Sequence, residues 1–372
     1  MTSIDGTTGS LTENEVRPLR EIGYSAEREH SGTCVIVDNE LRRISVRDDG
    51  VEIWPIAEAL RRYPWVQDLM FNLIPPDFDD LVREFAESTQ ERVGHFIWVH
   101  EGVTLGKPLQ SFTLLETPQA RQFVHNITVV DRNATMTMLS GAAVWGQTHT
   151  GHHVSISETY LREGATCSSV SIERWADGMT VDSYARAHLA AGAHSTDTAI
   201  ALSGLRSHYC NSATVLEADA NSNDQLVVYA PGGTTRTIES EIRLTGAGAN
   251  AESLTRMVTG DGTIVNRSEL TGEAPGVHGY LGCDGLKLTD GGELRSSPSL
   301  VAKSSDAQLS HEASIGMISA DKIAYLMSTG LSEEDARTLI VQGFLDLDAQ
   351  RIPEVFRREV QDMVAAAKTG FM

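Results

Sequence analysis

Five segments decide how this chain folds: LREGATCSSVSI from Leu161, LAAGAHSTDTAI from Leu189, LEADANSNDQLVV from Leu216, LTGAGANAESLT from Leu244 and LTGEAPGVHGYL from Leu270. Each sets a leucine ahead of small, turn-forming residues and then a new run of strand formers. The leucines are 28, 27, 28 and 26 residues apart, and LSGAAVWG from Leu139 is a less regular member 22 residues earlier. A unit of this length cannot bury its apolar face alone and does so by stacking on the next copy, the logic of a solenoid. The LxxLxL signature of leucine-rich repeats is missing, and strand residues follow the turns. The reading is therefore mainly β, with a right-handed parallel β-helix as core. An antiparallel sandwich with recurring turns is the alternative, and the near-constant step weighs against it.

Outward from the repeats the texture turns helical. After Pro75-Pro76, residues Phe78, Leu81, Val82 and Phe85 fall at i, i+3, i+4 and i+7, one apolar helix face opened by Asp77. Beyond Ile318, Ser319 caps a helix carrying Ile323, Leu326 and Met327 that Gly330 ends. Ser332 with Asp335 marks a second helix through Gln342. Pro353 starts a third, with Phe356, Val360, Met363 and Val364 on one face. Three regions are expected: a helical N-terminal subdomain over 1–94, the β-helix over 95–317 and a helical C-terminal subdomain over 318–372.

The 372 residues include 51 acidic and 30 basic side chains, a formal net charge of -21. A phosphate-backbone binder needs clustered Lys and Arg, so nucleic acid is excluded as a partner. The first twenty residues lack a basic start followed by an apolar run, and no stretch approaches the roughly 20 apolar residues of a membrane helix. No membrane association and a cytoplasmic location are expected. The four cysteines, Cys34, Cys167, Cys210 and Cys283, form no CxxC pair. They are too few to act as a disulfide framework and matter, if at all, chemically.

One thiol stands out. Cys283 lies in HGYLGCDGLKL, and 28 residues later His311-Glu312 follows in QLSHEASIG. That separation is one repeat, and residues one coil apart stack at about 4.8 Å. Thiol, imidazole and carboxylate are thus expected to meet on adjacent rungs at the end of the solenoid. Thiolate is the preferred ligand for iron in iron–sulfur clusters, and imidazole or carboxylate completes a site that must later release its cargo. One chain supplies too few thiolates for a four-cysteine site, so two facing chains would complete it. The alternative is that Cys283 fills core space and His311 is a satisfied strand-end residue.

The stretch SHEASIGMISADKIAYLMSTGLSEEDARTLIVQGFLDL, from Ser310 to Leu347, resembles the C-terminal signature of the SufB/SufD family of iron–sulfur cluster assembly proteins. The HEA element, YLMSTGLSEEDAR and LIVQGF carry the likeness; Gly282-Cys283-Asp284 and the preceding His278 resemble the SufB branch. The resemblance implies a non-enzymatic scaffold of the SUF system that binds no ATP itself and works with an ABC-type ATPase, SufC. A transient iron–sulfur cluster would form with Cys283, His311 and Glu312, its sulfur supplied by a cysteine desulfurase or other donor, before transfer to apo iron–sulfur proteins. The C-terminal helices would dock on the ATPase through Tyr325, Leu326, Leu331, Ser332, Arg337, Leu339 and Ile340.

Two departures bear on this. The Glu-Gly-Cys element that supplies a sulfur-receiving cysteine in SufB proteins is matched here by Ser140-Gly141-Ala142, without a thiol. The chain is also short for a SufB, which points to a homodimer in place of the SufB–SufD heterodimer and to a two-plus-two complex with SufC. Cys167, if it faces the lumen, is a substitute sulfur acceptor; otherwise Cys167 and Cys210 read as core or strand residues, and Cys34 as structural. His149, His152 and His153 in QTHTGHHV read as a surface turn. GDGT at 260 and GAGAN at 246 lack the Lys-Ser/Thr and helix of a phosphate loop. The rival function is a carbohydrate-active β-helix enzyme, a lyase or hydrolase, which needs paired carboxylates or calcium in a groove. A structural scaffold that carries no cluster is a third class.

Overall fold

Strands begin well before the expected boundary at 95. A computed structural model describes residues 9–88, 91–345, 352–358 and 360–361. The chain opens with α1 (Glu13–Arg20), β1 (Gly32–Val37), β2 (Glu40–Val46), β3 (Val51–Pro55), α2 (Ile56–Arg62), α3 (Pro64–Gln67) and α4 (Asp80–Glu87). Next come β4 (His95–Val99), β5 (Leu109–Leu115), β6 (Arg121–Val130), β7 (Thr135–Val144), β8 (Thr150–Leu161), β9 (Thr166–Arg174), β10 (Gly178–Leu189) and β11 (His194–Ala201). The repeats continue through β12 (Ser207–Leu216), β13 (Asn221–Ala230), β14 (Thr235–Leu244), β15 (Asn250–Thr259), β16 (Thr263–Gly272), β17 (His278–Lys287), β18 (Glu293–Ala302) and β19 (Gln308–Met317). Two helices follow, α5 (Ala320–Ser328) and α6 (Glu333–Phe344).

Successive repeat strands go alternately to two sheets. The first runs β2-β1-β5-β7-β9-β11-β13-β15-β17-β19, the second β3-β4-β6-β8-β10-β12-β14-β16-β18. Only the β1–β2 and β3–β4 pairs are antiparallel among the described residues; the rest is a parallel β-solenoid of about eight turns. Its opening turn includes β1, which pairs parallel with β5. The apolar runs GTCVIV and VEIWP are short for helices and are buried along most of their length, so the N-terminal region is mixed rather than helical.

The repeated leucine is a core column. Leu161, Leu189, Leu216 and Leu244 stand opposite one another on β8, β10, β12 and β14, all within 1% of full burial. Leu244 then faces Gly272, so Leu270 sits two residues off, against Ile242. The turns behind the column follow one plan. The residue two places before each new strand has positive φ, as at Gly164 (67°), Gly192 (68°) and Asp219 (57°). Each is followed by a fully buried alanine, Ala165, Ala193 and Ala220. The left-handed step turns the chain inward, and a residue as small as Ala fits where successive turns stack.

Helices cover the outer faces. α2 to α4 lie on the second sheet, where Ile56 and Val66 pack with Phe96 and Ile127, and Val82 and Phe85 with Val154 and Ile156. The cap of α4 is Asp79, not Asp77: its carboxylate accepts from the Val82 N–H at 2.7 Å. Phe78 consequently lies outside the helix, 42% exposed, with its ring 6.0 Å from that of Tyr184. Glu158 fastens the segment before α4, accepting from Phe71 N at 2.8 Å and Leu73 N at 2.6 Å while facing His125 Nε2 at 2.8 Å. Both side chains of that pair are fully buried, so either one alone would be costly to leave there.

On the first sheet's outer face, α1 and the C-terminal helices share one apolar cluster. Leu19, Ile22, Val341, Phe356 and Val360 pack there with strand residues such as Val170 and Val227. Ser332 caps α6 by accepting from Asp335 N at 3.0 Å, as its spacing predicts, whereas Ser319 stands at the α5 N-cap without a side-chain bond. Residues 354–358 are helical after Pro353; Met363 and Val364 lie outside the described residues.

Candidate functional site

The solenoid ends on two strands, β18 and β19, each paired on one side only. β19 is exposed along nearly its whole length, with Ile315 and Met317 47% and 51% exposed. A long unpaired edge carrying apolar side chains is a pairing surface unless something covers it. Cys283 and the His311-Glu312 pair sit on the last two strands of the first sheet, β17 and β19, at this end.

Their register differs from the expected one. β17 and β19 pair as Leu281 with His311, Gly282 with Glu312 and Cys283 with Ala313, a step of 30 residues. The reason is the turn after β17, which runs 288–292 and is two residues longer than its counterpart at 260–262. Cys283 and His311 therefore share the inner face but stand two positions apart along it, and Glu312 lies on the outer face. There the Tyr280 hydroxyl donates to Glu312 Oε2 at 3.4 Å, and Ser314 Oγ donates to Asp284 Oδ1 at 2.5 Å. Burial raises the Tyr280 pKa, and the Glu312 carboxylate beside it adds to the rise. Among the described residues no three His, Cys, Asp or Glu side chains converge as a metal site.

Cys283 is not near solvent in a single chain. It is 2% exposed, in a cluster with Val228, Met257, Ile264 and Leu294. One polar group reaches it: Asn266 on β16 sends Nδ2 across from the second sheet to within 3.5 Å of Sγ. The sequence reading missed Asn266, although Ile264, Asn266 and Ser268 alternate as inward positions of TIVNRSEL and all three are at most 3% exposed. Its signal was a polar residue at an inward place of a strand.

The other thiols are held in the fold. Cys34 and Cys167 belong to the inner apolar cluster, and burial pushes each up to about 12. Cys210 is half-buried and is likewise pushed up to about 12 by burial. At the place of the absent early cysteine, Ser140 Oγ donates to Val170 O at 3.4 Å. The histidines of QTHTGHHV do not form a surface turn. Only His149 precedes β8; His152 and His153 lie on it and, as neighbours on a strand, take opposite faces. His152 Nε2 is 2.6 Å from Asp182 Oδ2, while His153 is buried with Nδ1 2.7 Å from Gln122 Oε1.

Along α5 and α6, Tyr325 and Leu339 are 70% and 48% exposed, and Leu326, Leu331 and Ile340 are half-buried. Arg337 pairs with Glu333 at 2.9 Å and reaches Leu288 O at 3.5 Å, which ties α6 to the long turn after β17. Ser332 is exposed but engaged in its cap. A groove of about 770 Å³ crosses the outer face of the second sheet, beside Phe78. Of its carboxylates, Glu239 pairs with Arg267 at 2.8 Å and Glu241 with Arg243 at 3.9 Å, while Glu269 accepts from Thr271 Oγ1 at 3.4 Å. The Glu239–Arg267 pair joins neighbouring strands β14 and β16.

The site as a whole is a parallel solenoid that ends on an exposed edge, with one inward thiol a strand behind it. Residues 113–344 match the family model described as the SUF system FeS cluster assembly, SufBD core domain. The chain belongs to the SufBD family of iron–sulfur cluster assembly proteins. It is 28% identical over 370 residues to a protein of Archaeoglobus fulgidus named as an iron–sulfur cluster assembly SufBD family protein, covering 99% of both chains. A protein of the same description from Methanothermobacter thermautotrophicus is 29% identical, over 92% of this chain and 85% of the relative. The iron–sulfur cluster assembly protein SufB of Bacillus subtilis is 23% identical, over 74% of this chain and 60% of its own.

Proposed function

We propose that two copies of this chain meet through their open solenoid ends and assemble a nascent iron–sulfur cluster between them, which is then passed to apo-proteins in the cytoplasm. The observation that carries this reading is the position of Cys283, one strand behind the unpaired β19. Two-fold pairing doubles the ligand set, so two Cys283 thiolates and two His311 imidazoles face one another across the interface. Glu312, on the outer face of β19, takes part from the rim. Cys283 lies behind an apolar layer in the single chain, so the sites open as the solenoid ends shift. An ABC-type ATPase of the SufC kind, bound at α5 and α6 in a two-plus-two complex, supplies that movement. Sulfur comes from a cysteine desulfurase or another donor.

Anaerobic reconstitution with ferrous iron and sulfide tests the reading. One cluster per two chains is expected, with the dimer retained on a sizing column. No cluster absorption, or a full cluster on each monomer, overturns it. The docking face makes a separate prediction. Tyr325 and Leu339 are exposed, so changing both to Asp leaves the fold intact and removes two apolar anchors, at a cost of about 2 kcal/mol or more in binding. Co-purification with the ATPase is expected to fail while dimerisation persists; an unchanged complex refutes the docking assignment.

A further inference from the structure

We infer that Asn266 is a positioning residue for the Cys283 sulfur, an assignment that rests on the reading of Cys283 given above. Asn266 has no exposed surface, and a buried amide is stable only when both its ends are hydrogen-bonded. Its ends are satisfied as a set. Oδ1 accepts from Ser268 Oγ at 3.4 Å, and Nδ2 donates to Ser296 Oγ at 3.2 Å and to Cys283 Sγ at 3.5 Å. The two serines thus fix which way the amide faces and aim one N–H at the thiol. That bond crosses the lumen, because Asn266 is on the second sheet and Cys283 on the first.

The chemistry of the contact favours one state of the sulfur. Cys283 packs with Val228, Met257, Ile264 and Leu294 and stands beside Thr255 on β15, and an amide NH2 offers protons and no lone pair. It therefore helps most when the sulfur carries charge toward a metal. Donors to a ligating sulfur orient it and tune the electronics of the cluster it holds. Ser296 adds a link to the surface: it stands in register with Asn266 on the edge strand β18 and is half-buried. A partner that repacks this edge moves the serine that holds the amide, and with it the donor to the thiol. A purely structural role would end at the two serines and leave the cluster's properties untouched.

The test uses the full chain reconstituted anaerobically with iron and sulfide. Asn266→Leu, similar in size, removes the donor; Ser296→Ala, at a half-buried edge position, releases the amide without disturbing the core. The readouts are the visible circular dichroism of the cluster and its rate of extraction by a chelator, with melting to confirm the fold. Asn266→Leu is expected to change the dichroism and speed extraction about tenfold or more. Ser296→Ala is expected to shift both in the same direction by less. Wild-type dichroism and extraction in whichever variant folds overturns the assignment. Cys283→Ser run alongside separates the two ideas: loss of the cluster there with an unaltered Asn266 variant defeats this inference alone, whereas a wild-type cluster in Cys283→Ser removes the reading beneath it.

Discussion

Cys283→Ser is expected to abolish cluster assembly and leave the solenoid folded. An alcohol oxygen is a hard, weakly acidic group that stays protonated where a thiol can ionise, so it does not replace sulfur toward iron. The structural cost is contained. The side chain is buried beside Val228, Met257 and Leu294, but Asn266 already offers an N–H that the serine oxygen can accept. What remains is a hydroxyl proton in an apolar setting, worth about 1 kcal/mol, and a melting shift of a few degrees at most. Two measurements read the outcome together: cluster absorption after anaerobic reconstitution, and thermal unfolding of the apo-protein. A folded variant with undiminished absorption would take Cys283 out of the site. An unfolded one would mean that the buried thiol serves packing first.

The solenoid was legible because its signal is periodic. Leucine, turn and strand recur at a step that the stacked column of Leu161, Leu189, Leu216 and Leu244 reproduces in space. The site was less legible because register is set locally. A step of 28 predicts Cys283 against His311, yet two extra residues at 288–292 move His311 opposite Leu281 and change which side chains share a rung. A repeat averaged over five units cannot reveal a turn that lengthens in the last one. Strands ahead of the repeats carry no such period: β1 and β3 belong to the sheets but lie outside the repeats, and only tertiary pairing gives them away. Asp79 displaced Asp77 as the α4 cap because both are acceptors and backbone geometry chose between them. Asn266 had no motif to announce it; its role exists only where the second sheet faces the first.

Acid is expected to cost the fold more than any single substitution discussed above. Five imidazoles are buried, His30, His95, His125, His153 and His208, and for the last two and His95 burial is the main reason the pKa falls, to about 4 for His95, about 4 for His153 and about 3 for His208. Each of these three is placed as a neutral ring. His95 Nδ1 lies 2.9 Å from Ser111 Oγ, His153 Nδ1 lies 2.7 Å from Gln122 Oε1, and His208 Nδ1 accepts from Arg236 at 2.8 Å. Arg236 is fully buried and also held by Tyr229 O and Ser203 O, so it cannot retreat from a charged His208. Glu173, 4.0 Å from His208 Nε2 and felt by His153, offsets only part of the burial. In the unfolded chain these rings titrate near 6.5, so below that pH the unfolded state takes up protons that the native state refuses. The stability they contribute is complete above about pH 6.5 and is lost as pH falls toward 4, and toward 3 for His208. At about pH 5 each ring accounts for roughly 2 kcal/mol, or about 6 together. Urea unfolding at about pH 7.5 and pH 5 measures the loss, and His153→Gln should recover roughly 2 kcal/mol of it. An unchanged midpoint across that range would show that these rings are protonated inside the folded protein.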